Sequence, residues 1–147
     1  MKKLLNKKNN KGFSLVELIV VVLIMGIIAV ALAPQVMKWV GSSKITTDKN
    51  NADAIKSSVQ TALADWQGRG NVIPKTGSDF AATINGGITC SQDWTGTGTT
   101  ASLKAVLDEV TAADYPKSQY DNTGFTVDID VSTGKVTIGY SAKNVTP

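Results

Sequence analysis

A chain of 147 residues with one cysteine and no histidine has room for one domain of ordinary size. It cannot form an intramolecular disulfide or a histidine-containing metal site. Its formal charge of +3 rests on Lys2, Lys3, Lys7, Lys8 and Lys11, and removing residues 1–12 leaves 3 − 5 = −2. The remaining lysines are scattered, without a basic stripe interleaved with aromatics, so no specific nucleic-acid partner is expected.

The basic leader precedes an apolar run from Phe13 to Ala33, FSLVELIVVVLIMGIIAVALA, in which only Ser14, Glu17 and Gly26 interrupt apolar residues. As a helix the run is roughly 31 Å long, close to the roughly 30 Å of bilayer hydrocarbon. Five lysines before the run and few charges just after it place the N-terminus in the cytoplasm and the remainder outside. An ordinary secretory signal peptide has an apolar region of only about 7 to 15 residues, and here the helical pattern continues beyond the run.

Lys11-Gly12-Phe13-Ser14-Leu15-Val16-Glu17 resembles the cleavage site of type IV prepilins. The resemblance covers about residues 8 to 40, including Gly26 and Pro34, and says little about the remainder. It implies cleavage between Gly12 and Phe13 by a membrane aspartyl prepilin peptidase and N-methylation of Phe13. Gly12 leaves the backbone before that bond open to close approach; read alone, it would be a flexible joint. Glu17, four residues into the expected span, would cost about 2.5 to 3.5 kcal/mol at a span's centre and so needs a partner, unless the interface keeps it wet. By the resemblance, that partner is the new amino-terminus of Phe13 on a neighbouring subunit, setting axial register during assembly.

Gly26 and Pro34 weaken a helix by roughly 1 and 3 kcal/mol. The resemblance implies that the segment between them loses helical structure in a filament; a plain kink at Pro34 is the alternative. Beyond Pro34 the pattern becomes amphipathic, with Val40, Ile45, Ala52, Ile55, Val59, Ala62, Leu63 and Trp66 on one face. Gly68, Gly70 and Pro74 end the helix near Trp66 or Gln67, after roughly 54 residues, or about 80 Å.

The head is expected to be a small mixed domain. Phe125 to Val131 alternates, turns through Ser132-Thr133-Gly134-Lys135 and returns as Val136, Ile138 and Tyr140, which predicts a hairpin covering the amphipathic face. Ser102 to Ala112 predicts a short helix capped by Ser102, with Leu103, Val106, Leu107 and Val110 inward. Residues 83–90 add one strand, and Thr95 to Thr100 is a polar loop. Cys90 is read as a small buried apolar residue, with an intermolecular bridge the alternative. Asp121, Asn122, Asp128 and Asp130 have the hard oxygens that calcium takes, but Asp128 and Asp130 fall on the solvent face of a strand, so no metal is assigned. No GxSxG, histidine or pocketed carboxylate pair suggests an enzyme, and no cofactor is expected.

The expected fold class is thus α+β, the type IV pilin fold: a long N-terminal helix with an apolar membrane half, packed against a small antiparallel β-sheet head. Its divisions are a cleaved leader (1–12), a membrane and filament-core half-helix (13–34), an amphipathic half-helix (35–67) and the head (68–147). The implied function is a structural subunit of a surface filament used in adhesion, twitching motility or DNA uptake, anchored in the cytoplasmic membrane before assembly. The alternative is a pseudopilin of a type II secretion system; a single-pass anchored module that never polymerises would gain nothing from Glu17. Partners implied are the prepilin peptidase, other pilin subunits as a homopolymer, membrane assembly machinery and the lipid bilayer. Many Gram-negative pilins close their last loop with a disulfide, and the lack of a cysteine pair fits a Gram-positive source, leaving Tyr140 to Pro147 to be held by strand pairing or packing.

Overall fold

The computed structural model describes residues 12–75, 77–96 and 101–141. It divides into two units, Met1–Trp39 and Val40–Pro147. Helix α1 (Leu15–Gly68) contributes to both, ending just past the expected boundary at Gln67. It continues through Gly26 and Pro34 without a break in the isolated chain.

Among the described residues of the first unit no face of the helix is covered. From Phe13 to Trp39 the large hydrophobic side chains are between 44% and 89% exposed, in a segment apolar enough to cross a membrane by length and composition. Proline has no N–H for the i to i−4 ladder, so Pro34 leaves the Val30 carbonyl without that partner.

In the second unit the remaining part of α1 is one wall of the core. Ala52, Ile55, Val59, Ala62, Leu63 and Trp66 are buried, spaced by three and four so that they share a face. Against them stands a sheet of β1 (Phe80–Ile84), β2 (Ile88–Gln92), β3 (Phe125–Ile129) and β4 (Val136–Tyr140), antiparallel throughout in the order β2-β1-β3-β4. Alternation puts Phe80, Ala82 and Ile84 of β1 on the inner face with Phe125, Val127 and Ile129 of β3. Register aligns them in rows: Phe80 with Ile129 and Val136, Ala82 with Val127 and Ile138, Ile84 with Phe125 and Tyr140.

Helix α2 (Leu103–Val110) adds Leu103, Val106 and Leu107 to the same cluster. Ser102 caps it as expected, its Oγ accepting from Ala105 N at 3.3 Å. Trp94 joins the core beside Trp66 and Phe80, with ring centroids 6.2 and 6.1 Å away.

Several sequence expectations need correction. Residues 83–90 are not one strand: β1 ends at Ile84, Asn85–Gly87 turns, and β2 begins at Ile88, because the glycine pair supplies a reversal. Val110 is 38% exposed and Val40 50%, so neither joins the core. Ile45 is only half-buried. Asp130 lies just past β3 rather than on its solvent face, and its carboxylate caps the following turn, accepting from Ser132 N and Thr133 N, both at 2.8 Å. Tyr140 pairs within β4, while residues 142–147 and 97–100 lie outside the described residues.

Gly124 enters β3 at φ +87, and a Cβ there would stand 2.6 Å from the Ile84 carbonyl oxygen and 2.8 Å from Asn85 Cβ. Only glycine combines that dihedral with so close a backbone approach.

Candidate functional site: the exposed helix start and its attachment to the head

The motif residues lie at the start of α1. Gly12 and Phe13 precede the helix, Phe13 is 89% exposed, and a Cβ on Gly12 would meet nothing within 4 Å. Ser14 stands at the cap position and Glu17 in the first turn. The Ser14 backbone N–H donates to Glu17 Oε2 at 3.4 Å, a long bond that is one half of a capping box. Sequence reasoning looked for the partner of Glu17 in another molecule and missed this local one, although Ser14-Leu15-Val16-Glu17 carries the S-x-x-E signature. A carboxylate in a helix's first turn also meets the positive end of the helix dipole. Both interactions are exposed, and among the described residues the other carboxylate oxygen of Glu17 has no hydrogen-bond partner.

Gly26 and Pro34 stand further along the same exposed segment, far from the motif by helix rise alone: nine and seventeen residues past Glu17 are about 14 and 26 Å. Gly26 opens a shallow apolar notch bordered by Val22, Leu23, Ile27 and Val30.

The head is fastened to its part of α1 by a buried acid that sequence reasoning missed. Asp48 is fully buried and accepts from Ser118 Oγ at 2.6 Å, Gln119 N at 2.7 Å and Tyr120 N at 3.2 Å. Three donors satisfy a carboxylate that would otherwise be costly to bury. A signal existed: 48, 52, 55, 59, 62 and 66 form one run of alternating four- and three-residue steps, so Asp48 occupies an apolar register position. At the other end of the amphipathic stretch the Trp66 indole N–H donates to the Ala101 carbonyl at 3.0 Å, and Asn71 Nδ2 donates to the Trp66 carbonyl at 2.9 Å. The latter satisfies an orphan acceptor at the helix end.

Charges elsewhere on the head are local. Arg69 bridges Asp65 at 2.7 Å and Glu109 at 2.8 Å, and hydrogen bonds to Asp65 and then Glu109 raise the guanidinium further; exposed pairs of this kind stabilise little. The Asp121 carboxylate is lowered by hydrogen bonds from Ser141 and Thr123, so it joins its own loop to the residue after β4. Among the described residues no group of three or more Cys, Asp or Glu side chains is arranged to hold a metal. Cys90 is half-buried; burial, with Asp93 nearby, pushes its thiol up to about 11.

A long helix with an apolar start, continued into an amphipathic half packed on a small antiparallel sheet, is the α+β architecture of type IV pilins. Residues 7–33 match the family described as the prokaryotic N-terminal methylation motif. The chain is 33% identical over 135 residues to prepilin peptidase-dependent protein A of Clostridium perfringens, covering 90% of this chain and 86% of that protein. It is 31% identical to the type IV major fimbrial protein FimA of Dichelobacter nodosus over 54% of this chain and 52% of that protein. With type II secretion system core protein G of Pseudomonas aeruginosa it shares 36% identity over 42% of this chain and 43% of that protein. No solved structure matches the chain. The protein belongs to the type IV pilin-like family.

Proposed function

We propose that this chain is the structural subunit of a type IV pilus, with no catalytic role of its own. It is inserted in the cytoplasmic membrane with its head outside, cleaved by a prepilin peptidase between Gly12 and Phe13, N-methylated at Phe13 and polymerised through its apolar helix. The observation that carries this reading is the pairing of the motif with an uncovered helix: between Phe13 and Met37 the helix bears one charge, Glu17, and its large side chains are open on every face. Such a surface is stable only in lipid or against like helices. Leaving the bilayer for a filament exchanges one apolar environment for another, and extraction through water requires dedicated assembly machinery.

In the filament, Glu17 pairs with the Phe13 amine of a neighbouring subunit, exchanging its long 3.4 Å bond to Ser14 N for an ion pair in which both partners carry a full charge. The stretch from Gly26 to Pro34 is where the helix opens during packing, since a glycine and a proline already weaken its ladder there. Adhesion, twitching motility and DNA uptake are the uses such a fibre serves.

The likeness to core protein G favours a second reading, a pseudopilin working as a short periplasmic piston. Intact mass and N-terminal sequencing of material sheared from cells test the first reading. A chain beginning at methylated Phe13, present in the sheared fraction and lost from it in Glu17→Ala, is the expected result. Retention of residues 1–12, or free secretion of a chain starting after Ala33, overturns it. Loss of exoprotein secretion on deletion, with no surface filament in the wild type, supports the pseudopilin instead.

A further inference from the structure

The apolar run and the exposed segment of the helix do not share the same limits. The run starts at Phe13, but Glu17 interrupts it; from Leu18 to Met37 there are 20 residues without a charge, or about 30 Å of helix, the thickness of bilayer hydrocarbon. Lys38 and Trp39 follow at once. Trp39 is 69% exposed and Met37 75%, and among the described residues the Trp39 indole N–H meets no acceptor. Indole rings with one apolar body and one free donor collect at the headgroup level, where lysine ammonium groups also reach the phosphates.

We propose that Lys38 and Trp39 form a lipid-headgroup contact at the outer end of the membrane helix, so that Leu18–Met37 is the segment within the hydrocarbon. This rests on the membrane-inserted state proposed above. It moves the span outward from 13–34, takes Glu17 out of the hydrocarbon and sets it in the inner headgroup layer with its Ser14 cap. The bond between Gly12 and Phe13, which precedes the start of α1 at Leu15, then stands beyond the inner hydrocarbon edge, where water and a peptidase reach it. The occupant of the exposed outer end is the anionic and zwitterionic headgroup layer, because a 30 Å charge-free length bounded by a carboxylate at one end and an ammonium beside an indole at the other matches a bilayer at both ends.

The three tryptophans make this measurable. Trp66 and Trp94 are 1% and 5% exposed in the head, so the emission lost in Trp39→Phe reports Trp39 alone. The full chain is reconstituted in phosphatidylcholine–phosphatidylglycerol vesicles whose acyl chains are brominated either close to the headgroup or close to the chain end. The Trp39 emission is expected to be quenched about twofold or more strongly by the shallow bromines than by the deep ones, with Trp66 and Trp94 unaffected as a check that the head is folded. Stronger quenching by the deep bromines, or quenching only by acrylamide in the water, overturns the boundary while leaving membrane insertion standing. Failure of the chain to float with vesicles overturns the membrane state itself, and the boundary with it.

Discussion

Asp48 on α1 and Ser118 in the loop before β3 are joined by a 2.6 Å hydrogen bond across 70 residues of sequence. The same carboxylate takes the Gln119 and Tyr120 backbone N–H groups, so one fully buried acid holds the loop that leads to the central strand β3.

Asp48→Ala is therefore expected to destabilise the head by on the order of 3 kcal/mol, since three donors lose a charged acceptor and stay buried. Asp48→Asn keeps one acceptor oxygen and should lose about half as much. Urea unfolding of the full chain in detergent, followed by Trp66 and Trp94 emission, measures both; equal stability of Asp48→Ala and wild type would show that the clamp contributes nothing.

Trp66 combines a hydrogen bond to the Ala101 carbonyl with packing on Trp94. Replacement by Phe keeps a ring and loses the donor, at a cost of about 2 kcal/mol, whereas Ala also opens a cavity and should cost about 4 kcal/mol. The ordering Ala beyond Phe beyond wild type in the same unfolding experiment is the check.

Acid sensitivity should arise at the β3–β4 turn. Hydrogen bonds from Ser132 and Thr133 lower the Asp130 carboxyl from its ordinary 3.8 to about 2. A depressed acid favours the folded state above its unfolded value, and that contribution is lost as pH falls through the folded one. The hairpin should therefore loosen between about pH 4 and 2, and the pH dependence of stability over that window should flatten in Asp130→Asn. Identical slopes would exclude Asp130 as the source.

With its thiol pushed up to about 11, Cys90 should alkylate slowly. At pH 8 its thiolate fraction is on the order of one in a thousand, so iodoacetamide should react about a hundredfold more slowly than with free cysteine. Guanidinium unfolding should restore the ordinary rate. Rapid alkylation of the folded chain would show that β2 exposes the sulfur.

A Cβ at residue 124 would collide with the Ile84 carbonyl, so Gly124→Ala should destabilise the head by about 1 to 3 kcal/mol. Gly12→Ala meets no neighbour and should leave unfolding unchanged. Any effect it has would appear in processing, seen as a retained leader by intact mass.

Much of the candidate site was legible locally. Lys11 to Glu17 forms a contiguous motif, the apolar length follows from composition, and the β3–β4 hairpin shows in strict alternation around Ser132–Lys135. These features depend on neighbours in the chain, so a one-dimensional reading suffices. The Ser14–Glu17 cap is equally local, carried by the S-x-x-E spacing.

Other features depended on groups far apart in the chain. Asp48 could be recognised as an acid in an apolar register, but only the arrival of residues 118–120 supplies the donors that make burial tolerable. Val40 and Val110 fit their helical periods and yet face solvent, because periodicity states which residues share a face and not how far the opposing surface extends. Sequence by itself determined the family, the motif, the apolar helix and the strongest hairpin. Tertiary structure decided where the core begins and ends, that residues 83–90 reverse direction, and which polar groups fasten head to helix, since burial and hydrogen-bond satisfaction are properties of the assembled surfaces.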